Sequence, residues 1–341
     1  MTLMRNIILH DPTLRDGNHA VKQHISLNQI NSYTSLMDTV GLDVIEVGHG
    51  LGLGASSLQL GMTECTDREM LQCARKNLKR TKLGIHITPG YGREKDLEIA
   101  IEEGVDVIRV AAHCTEADIT ESLIKGSIKH NKEVYGCLTM SHMADEHILL
   151  EQTKKIESYG AQGVVLMDSA GSYTMEDVKR KITLLAKNLS IKIGFHAHNN
   201  MGMAVANSLI ALEHGASIID ATVKGFGAGA GNTPLELLVA VLTKMNYSIS
   251  VDLNQLFDAV DKTSHFMDIS NSTITTNNIV SGLYGVFGGF NSHVVRLANQ
   301  LGIDSKLIYK ELGRRQVIAG QEDLIIETAY KIKHSLIKEK I

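Results

Sequence analysis

Tryptophan is absent from the 341-residue chain, and aromatic residues make up only 4% of it. Without aromatic side chains on which bases could stack, a surface that binds single-stranded nucleic acid is not expected. Positive charge is not in excess either, because 34 Lys and Arg residues face 38 Asp and Glu residues, for a formal net charge of −4. The sequence therefore offers no global electrostatic attraction for nucleic acid or for an anionic membrane.

Cysteine pairs with metal-site or redox spacing are also missing. The four cysteines (Cys65, Cys73, Cys114 and Cys137) are scattered along the chain without CxxC spacing, which in a long chain predicts reduced, mostly buried thiols. No apolar run is long enough to span a bilayer. The N-terminal segment "MTLMRNIILH" lacks the apolar core and the small-residue cleavage site of a signal peptide. We therefore expect a soluble, cytoplasmic protein.

Short apolar stretches with little alternation recur along the first 223 residues, as is typical of parallel strands that are covered on both faces. Helix-like stretches lie between them, and several end at a glycine just before the next strand, namely Gly41, Gly104, Gly160 and Gly215. Eight such units favour a (β/α)8 TIM barrel, an α/β fold, with a doubly wound sheet as the main alternative. The predicted strands cover 6–10, 43–48, 82–87, 106–112, 134–140, 163–168, 192–198 and 217–223.

The strand pattern fades after about residue 250. The segments 251–267 and 291–341 have the pattern of helices. A minimal barrel does not need this tail. We therefore predict a catalytic TIM-barrel domain over 1–250 and a C-terminal helical domain over 251–341, which serves as a lid, an oligomer contact or a partner contact.

Two histidines stand one residue apart in "GFHAHNN" (194–200), at the end of an apolar strand. The side chains of His196 and His198 share one face of that strand. Two neutral imidazoles that converge form half of a site for a divalent metal, although a hydrogen-bonded pair of core histidines is the alternative. Asp16, in the loop after the first strand, is the carboxylate that would complete the site. Two His and one Asp leave open positions for an oxygen-rich substrate.

The loop "HDPTLRDGNH" (10–19) places Arg15 and His19 on either side of Asp16. An arginine can stabilise a developing enolate or bind a carboxylate, and a histidine titrates close enough to neutrality to transfer protons. The alternatives are a structural ion pair of Arg15 with Asp11 or Asp16, and a purely structural position for His19.

Two further strand ends are rich in small residues. In "DSAGS" (168–172), backbone N–H groups and the Ser169 hydroxyl could approach an anion such as a carboxylate, or the segment is simply a tight turn before a helix cap. The stretch "GFGAGAGN" (225–232) matches a dinucleotide-binding loop weakly and stands at the end of the α/β series. A closely packed turn at the top of the barrel is therefore favoured.

These segments together resemble a known family. The chain is similar to the pyruvate-carboxyltransferase-like, or HMG-CoA lyase-like, superfamily of metal-dependent TIM barrels and, within it, to the 4-hydroxy-2-oxovalerate aldolases, the class II pyruvate aldolases. The acyl-CoA-condensing relatives usually carry "LRDGEQ" where this chain has "LRDGNH". The resemblance runs nearly end to end and is carried by "DPTLRDGNHA", "IEVGHGLGLGASS", "VAAHCTEAD", "SYGAQGVVLMDSAG", "GFHAHNN", "GAGAGNTPLE" and "ELGRRQVIAGQED".

The resemblance implies roles for the matching residues. Asp16, His196 and His198 would bind a divalent ion, Mn²⁺ above Mg²⁺ or Co²⁺, that holds a 2-oxo acid. Arg15 would stabilise the pyruvate enolate, and His19 would take the proton of the 4-hydroxyl group. Ser169 would help to hold the carboxylate.

The resemblance also implies an oligomer and a separate acylating aldehyde dehydrogenase as partner, which receives the aldehyde product.

One segment departs from the family pattern. The family usually carries a tyrosine in a "GYAGVYSSF"-like stretch, and the matching position in "GLYGVFGGF" (282–290) is Phe287, which has no hydroxyl. Tyr284 lies three residues earlier, about one helical turn away, and is a candidate substitute.

Two other functions stay open on the sequence: a Claisen-type enzyme that condenses acyl-CoA with a 2-oxo acid, and a non-catalytic scaffold barrel.

Overall fold

Eight parallel strands close into a barrel in sequence order in the computed structural model, which describes residues 7–269 and 273–338. The predicted TIM barrel is therefore confirmed and the doubly wound alternative is wrong. The strands are β1 (Ile8–Leu14), β2 (Val44–Val47), β3 (Lys82–Ile87), β4 (Val107–His113), β5 (Glu133–Thr139), β6 (Gly163–Asp168), β7 (Lys192–Ala197) and β8 (Ile218–Asp220).

The helices that follow the strands begin and end at sequence signals. Capping boxes open α1, α2 and α6, in each case with a Ser or Thr side chain that accepts a backbone N–H of the first turn. The four glycines predicted to stop helices all have positive φ, between 77° and 122°. The helices are α1 (Leu27–Met37), α2 (Asp67–Asn77), α3 (Glu94–Glu102), α4 (Glu121–Lys129), α5 (Glu146–Ser158), α6 (Met175–Asn188), α7 (Ala204–Glu213) and α8 (Leu235–Lys244).

The first strand is longer than its sequence pattern predicts. It runs to Leu14 rather than ending at His10, while Asn6 lies outside the described residues. Pro12 has no N–H to donate to a neighbouring strand, and the pairing of β1 with β2 shifts register between Asp11 and Leu14. The strand therefore continues through a proline-containing irregularity.

Side chains that point into the barrel form successive levels along its axis. One level is apolar, and the next is apolar on one side of the barrel and polar on the other. One buried cluster consists of Val44, Val107, Tyr135 and Ile218, and the partly buried Ile8 packs against it. Residues two positions further along each strand point the same way, because side chains alternate across a strand. On the side of β5 and β6, this next level continues with Cys137 and Val165. On the side of β1, β2, β4 and β8, it is polar and fully or almost fully buried, with His10, Glu46, Arg109 and Asp220.

In the part of the chain that the structure describes, five more α-helices follow the barrel. The first, α9 (Leu253–Phe266), buries Leu256, Ala259 and Val260 in the same hydrophobic core as the barrel and its surrounding helices. The other four build a core of their own around residues such as Phe290 and Tyr309. They are α10 (Thr276–Leu283), α11 (Asn291–Leu301), α12 (Ser305–Arg314) and α13 (Asp323–Lys338), and α10 falls where no helix is predicted from the sequence.

These last helices reach the barrel top through backbone contacts. The Asn200 amide donates to the Asn278 carbonyl oxygen at 3.3 Å, and a His142 ring nitrogen lies 3.0 Å from the Gly285 carbonyl oxygen. Gly229 and Gly288 meet closely, since a Cβ added to Gly229 would lie 3.0 Å from the Cα of Gly288. The helical tail is thus seated over the carboxyl ends of the strands.

The remaining expectations from composition concern cysteines and membrane spans. All four cysteines are free thiols; Cys114 and Cys137 are buried, and Cys65 and Cys73 are partly exposed. Within 7–269 and 273–338, none of the helices has the length and apolar character that crossing a membrane requires.

Candidate metal centre and active site

Three ligand atoms from opposite ends of the barrel sequence converge at its top. The Nε2 atoms of His196 and His198 lie 3.3 Å apart, and Oδ2 of Asp16 lies 4.0 and 3.9 Å from them. Donors that each lie about 2.0–2.2 Å from one ion stand roughly 3–3.6 Å apart. The three atoms are thus close to the spacing of one face of a coordination shell, slightly open on the carboxylate side, and all three side chains are buried. The donor set therefore fits a divalent ion.

The orientation of His196 is fixed from behind. Its Nδ1 lies 2.8 Å from Oδ2 of Asp220, which stands at the end of β8. A carboxylate in this place keeps the proton on Nδ1, so the Nε2 lone pair faces Asp16 and His198. A carboxylate–histidine arrangement of this kind is typical of metal-ligating histidines.

The loop after β8 fixes the orientation of the Asp16 carboxylate. The backbone N–H of Ala228 donates to Oδ1 of Asp16 at 3.2 Å, which leaves Oδ2 for the imidazoles. A Cβ on Gly227 would lie 3.0 Å from that same Oδ1 and 2.2 Å from the Asn232 amide nitrogen, so the close approach requires glycine. The segment "GFGAGAGN" is therefore a packed turn against the site, as favoured from its position.

Burial and neighbouring charge set the protonation of the ligands. Burial lowers the pKa of His198 to about 4, so its imidazole is neutral at pH 7. Burial also disfavours the carboxylate form of Asp16, but the Arg15 guanidinium, followed by three nearby histidines, outweighs it and holds the pKa of Asp16 below its ordinary value. The site thus presents a neutral His198 imidazole and the Asp16 carboxylate, which are the forms of these groups that bind a metal.

Arg15 lies beside the three ligand atoms. Its Nε donates to Oε1 of Glu46 at 2.5 Å, and its Nη1 donates to the Gly50 carbonyl oxygen at 3.2 Å and lies 3.6 Å from Oδ2 of Asp16. Its Nη2 is buried and has no hydrogen-bond partner among the described residues. Because Arg15 also lines the cavity, it has a free donor for a substrate oxygen.

His19 lies on the opposite side of the same loop and contacts the helical tail. Its ring stands edge-on to that of Phe287, with the centroids 6.4 Å apart, and Gly50 lies against it so closely that a Cβ there would be 2.6 Å from Nε2. Burial is the main influence on the pKa of His19 and lowers it. The imidazole is therefore neutral at pH 7 and able to accept a proton.

Ser169 and Phe287 line the same cavity of about 300 Å³, together with Arg15, Asp16, His19, His196 and His198. Oγ of Ser169 accepts the Met140 backbone N–H at 3.0 Å, so its own hydrogen is available to a substrate. The structure thus places seven of the eight residues singled out from the sequence around one cavity.

The eighth residue lies elsewhere. Tyr284 is partly exposed and lines a separate groove on the helical tail, among residues of α12 and α13 such as Leu307 and Lys331. It is not among the residues that line the cavity at the barrel top. The interpretation of Tyr284 as a substitute for the missing hydroxyl at position 287 has no support in this placement.

Several residues that line the cavity or lie buried behind it are not predicted from the sequence. Glu46, Arg109 and Asp220 each interrupt an apolar strand with one buried charge, a signal that was present in "DVIEVG", "DVIRVAA" and "SIIDATV". His86 of β3 lines the cavity, and burial lowers its pKa to about 3, so it is neutral there. Ile318 and Ala319 of the tail line it too, and they carry no sequence signal beyond the family segment that contains them.

Comparison with known proteins agrees with this arrangement. An HMGL-like family model matches residues 6–262, and a DmpG-like communication domain matches residues 272–334. Proteins named 4-hydroxy-2-oxovalerate aldolase are 48% identical in Spirochaeta aurantia, over 96% of this chain and 96% of that protein, and 45% identical in Pectobacterium atrosepticum, with the same coverage. The chain belongs to the 4-hydroxy-2-oxovalerate aldolase family.

Membership makes the chain a carbon–carbon lyase of the HMGL-like group, as the resemblance in its motifs implies. It does not favour the acyl-CoA-condensing alternative or the non-catalytic scaffold. A solved structure, the carboxyl transferase domain of Rhizobium etli pyruvate carboxylase, matches with a TM-score of 0.79 over 97% of this chain and 61% of that one, at 16% identity. At that identity the likeness supports the fold of this aldolase-family chain.

Proposed function

We propose that the chain catalyses divalent-metal-dependent retro-aldol cleavage of 4-hydroxy-2-oxovalerate, or of a related 4-hydroxy-2-oxo acid, to pyruvate and acetaldehyde or another short aldehyde. The observation that carries the proposal is the convergence of Asp16, His196 and His198 beside the free Nη2 of Arg15 in one cavity. The names of the relatives support the choice of substrate.

Asp16, His196 and His198 would hold the ion, for which we propose Mn²⁺, with Mg²⁺ or Co²⁺ as alternatives. A bound divalent ion acts as a Lewis acid on the 2-oxo group and orients the substrate. Imidazole and carboxylate donors together suit first-row transition metals such as Mn²⁺ and Co²⁺.

The protein side chains would carry the remaining steps. His19, as a neutral imidazole, accepts the proton of the 4-hydroxyl group while the bond between C3 and C4 breaks, which releases the aldehyde. The electron pair of that bond passes to the pyruvate enolate, whose oxygen Nη2 of Arg15 stabilises. The Ser169 hydroxyl donates to the carboxylate and fixes the direction in which the substrate lies. Return of the proton from His19 to C3 of the enolate then gives pyruvate and restores the neutral imidazole.

The helical tail would serve assembly. We propose an oligomer and an association with a separate acylating aldehyde dehydrogenase, supported by the match of residues 272–334 to a communication domain. The division into a barrel domain (1–250) and a helical domain (251–341), and a cytoplasmic location, remain proposals of the same kind.

The decisive test is a coupled assay for pyruvate release from 4-hydroxy-2-oxovalerate, run with Mn²⁺ and after exhaustive chelation. We expect activity with Mn²⁺, none after chelation, and recovery when the metal is restored. Cleavage that continues in the chelated enzyme would reject the metal mechanism. Thiol release from acetyl-CoA without aldehyde formation would favour a condensing enzyme instead.

A further inference from the structure

A network of buried ion pairs lies beneath the candidate metal centre, and Arg109 is at its middle. The Arg109 side chain is one of the largest that are fully buried. Its Nη1 lies 2.7 Å from Oδ2 of Asp220 and 3.3 Å from Oε2 of Glu46, and its Nε donates to Sγ of Cys137 at 3.3 Å. One guanidinium therefore joins two carboxylates that come from β2 and β8.

Each of these carboxylates holds a residue of the cavity. Asp220 uses the same Oδ2 atom to accept Nδ1–H of His196 at 2.8 Å. Glu46 uses its other oxygen, Oε1, to accept Nε–H of Arg15 at 2.5 Å. The orientation of a metal ligand and the orientation of the enolate-binding arginine thus depend on groups that share one cation.

Filling the interior of the barrel does not by itself require these ion pairs. On the other side of the interior, next to β5 and β6, the corresponding space is filled by Cys137, Val165 and Met167. Buried ion pairs are on average no more stabilising than well-packed apolar side chains, because removing charges from water costs about as much as their attraction returns. The charged residues on the side of Arg109 are therefore better explained by the cavity residues that they orient than by the space that they occupy.

We propose that Arg109 is a positioning residue that couples the two halves of the active site, fixing His196 through Asp220 and Arg15 through Glu46. The arm through Glu46 rests on the proposed function, because it acts through Arg15. The arm through Asp220 concerns metal affinity and can be measured without any reaction.

The test separates the two arms with single substitutions in the full-length protein. Mn²⁺ affinity is measured by electron paramagnetic resonance, and kcat and KM for 4-hydroxy-2-oxovalerate are measured at saturating Mn²⁺. We expect Asp220→Asn to weaken Mn²⁺ binding about 10- to 100-fold, the range for groups that support a metal ligand. We expect Glu46→Gln to lower kcat about 10-fold or more and to change Mn²⁺ affinity less than about threefold.

Arg109→Lys is the variant that decides, because lysine keeps the charge but cannot hold both carboxylates in the same geometry. It should weaken Mn²⁺ binding and lower kcat together. In the double variant with Asp220→Asn, the loss of Mn²⁺ affinity should be clearly smaller than the product of the two single losses, as expected for residues that act through one contact.

Val165→Ala is the matched control, since it loosens the apolar cluster at the same level and replaces no charged member of either arm. It should lower thermal stability and leave Mn²⁺ affinity and kcat within about threefold. The positioning role is overturned if Arg109→Lys changes Mn²⁺ affinity and kcat no more than Val165→Ala does. It is also overturned if the loss of Mn²⁺ affinity in the double variant equals the product of the losses in Arg109→Lys and Asp220→Asn. If the wild-type protein neither binds Mn²⁺ nor releases pyruvate, the proposed function itself fails, and that result is distinct from unchanged variants of an active enzyme.

Discussion

The floor and the roof of the cavity are built by different parts of the chain. The floor carries charged and polar side chains, and the roof carries apolar ones. The floor consists of strand ends of the barrel and carries the buried groups Arg15, Asp16, His196 and His198. The roof comes from the helical tail and consists of Phe287, Ile318 and Ala319, whose side chains have no hydrogen-bonding group. We therefore expect bond cleavage to depend on the barrel, and the tail to contribute shape and exclusion of water.

The difference has a physical cause. Buried charges need fixed partners, and adjoining strands of a closed barrel supply them at a constant spacing. Tail residues 317–319 lie between α12 and α13, and Phe287 lies in the turn after α10, so neither segment belongs to the sheet. Substitutions in the floor should therefore change rate and metal affinity by orders of magnitude, and substitutions in the roof should change selectivity modestly.

Asp16→Asn is expected to have the largest effect. Loss of the only carboxylate in the donor set should nearly abolish Mn²⁺ binding and lower activity about 10³-fold or more. Titration calorimetry with Mn²⁺ and the pyruvate assay measure the two effects. Asp11→Asn is the matched control, because Asp11 is a buried carboxyl of β1 that bonds Thr13 and Tyr33 and does not line the cavity. Normal Mn²⁺ affinity in Asp16→Asn would contradict the ligand assignment.

Arg15→Lys should come next. Lysine retains a positive charge but not the fork that binds Glu46, Gly50 and a substrate oxygen at once, so kcat should fall about 10²- to 10³-fold. Mn²⁺ affinity should stay within about threefold of the wild type, since Arg15 is not a ligand. Steady-state kinetics at saturating Mn²⁺ checks this, with Arg93→Lys at the exposed start of α3 as control. An equal loss of kcat and metal affinity would count against a separate role for Arg15.

His19→Ala should lower kcat about 10²-fold, as expected for loss of a general base. Because the folded protein lowers the pKa of His19, its neutral form persists below pH 6.5. The acid limb of kcat/KM in the wild type should therefore lie below pH 6.5 and fall as pH drops through the lowered pKa, and this limb should be absent in the variant. The exposed His24→Ala serves as control. A wild-type profile with no such limb, or one retained in His19→Ala, would exclude this base.

Phe287→Tyr changes the roof and should have a smaller, selective effect. A hydroxyl next to His19 can donate to the 4-hydroxyl group of one substrate enantiomer but not of the other. One hydrogen bond is worth about 1 kcal/mol, so the preference for that enantiomer should rise several-fold to about tenfold. Rates measured with both enantiomers test this. A loss of kcat as large as that of Arg15→Lys would show that the roof takes part in bond cleavage and would remove the contrast with the floor.

Tyr284→Phe should have the smallest effect. The hydroxyl lies in a groove between tail helices and outside the cavity, so kcat and KM should stay within about twofold of the wild type. Parallel assays of Tyr284→Phe and Phe287→Tyr provide the comparison. A tenfold loss in Tyr284→Phe would mean that the tail rearranges over the barrel during the reaction.

Most of the fold follows from local patterns in the sequence. Apolar strands, helix caps and glycine stops are properties of short segments, so the eight strands were placed within a few residues. Errors occur where neighbours intervene, as in β1, which continues through Pro12, and in α10, a short helix that begins at Thr276 and packs against the barrel top. Family motifs also pointed to Arg15, Asp16, His19, His196 and His198, which lie around one cavity.

The remaining features depend on contacts between distant residues. Strand periodicity places a charge such as Arg109 inside the barrel, but it does not show which carboxylates surround it. That outcome requires β8 to close against β1, a pairing of residues about 210 positions apart. The exclusion of Tyr284 from the cavity likewise depends on how α12 and α13 pack against α10. Short-range sequence thus specifies the barrel and the types of its reactive groups, whereas closure of the barrel and seating of the tail specify which groups meet, because those contacts join segments that no local pattern relates.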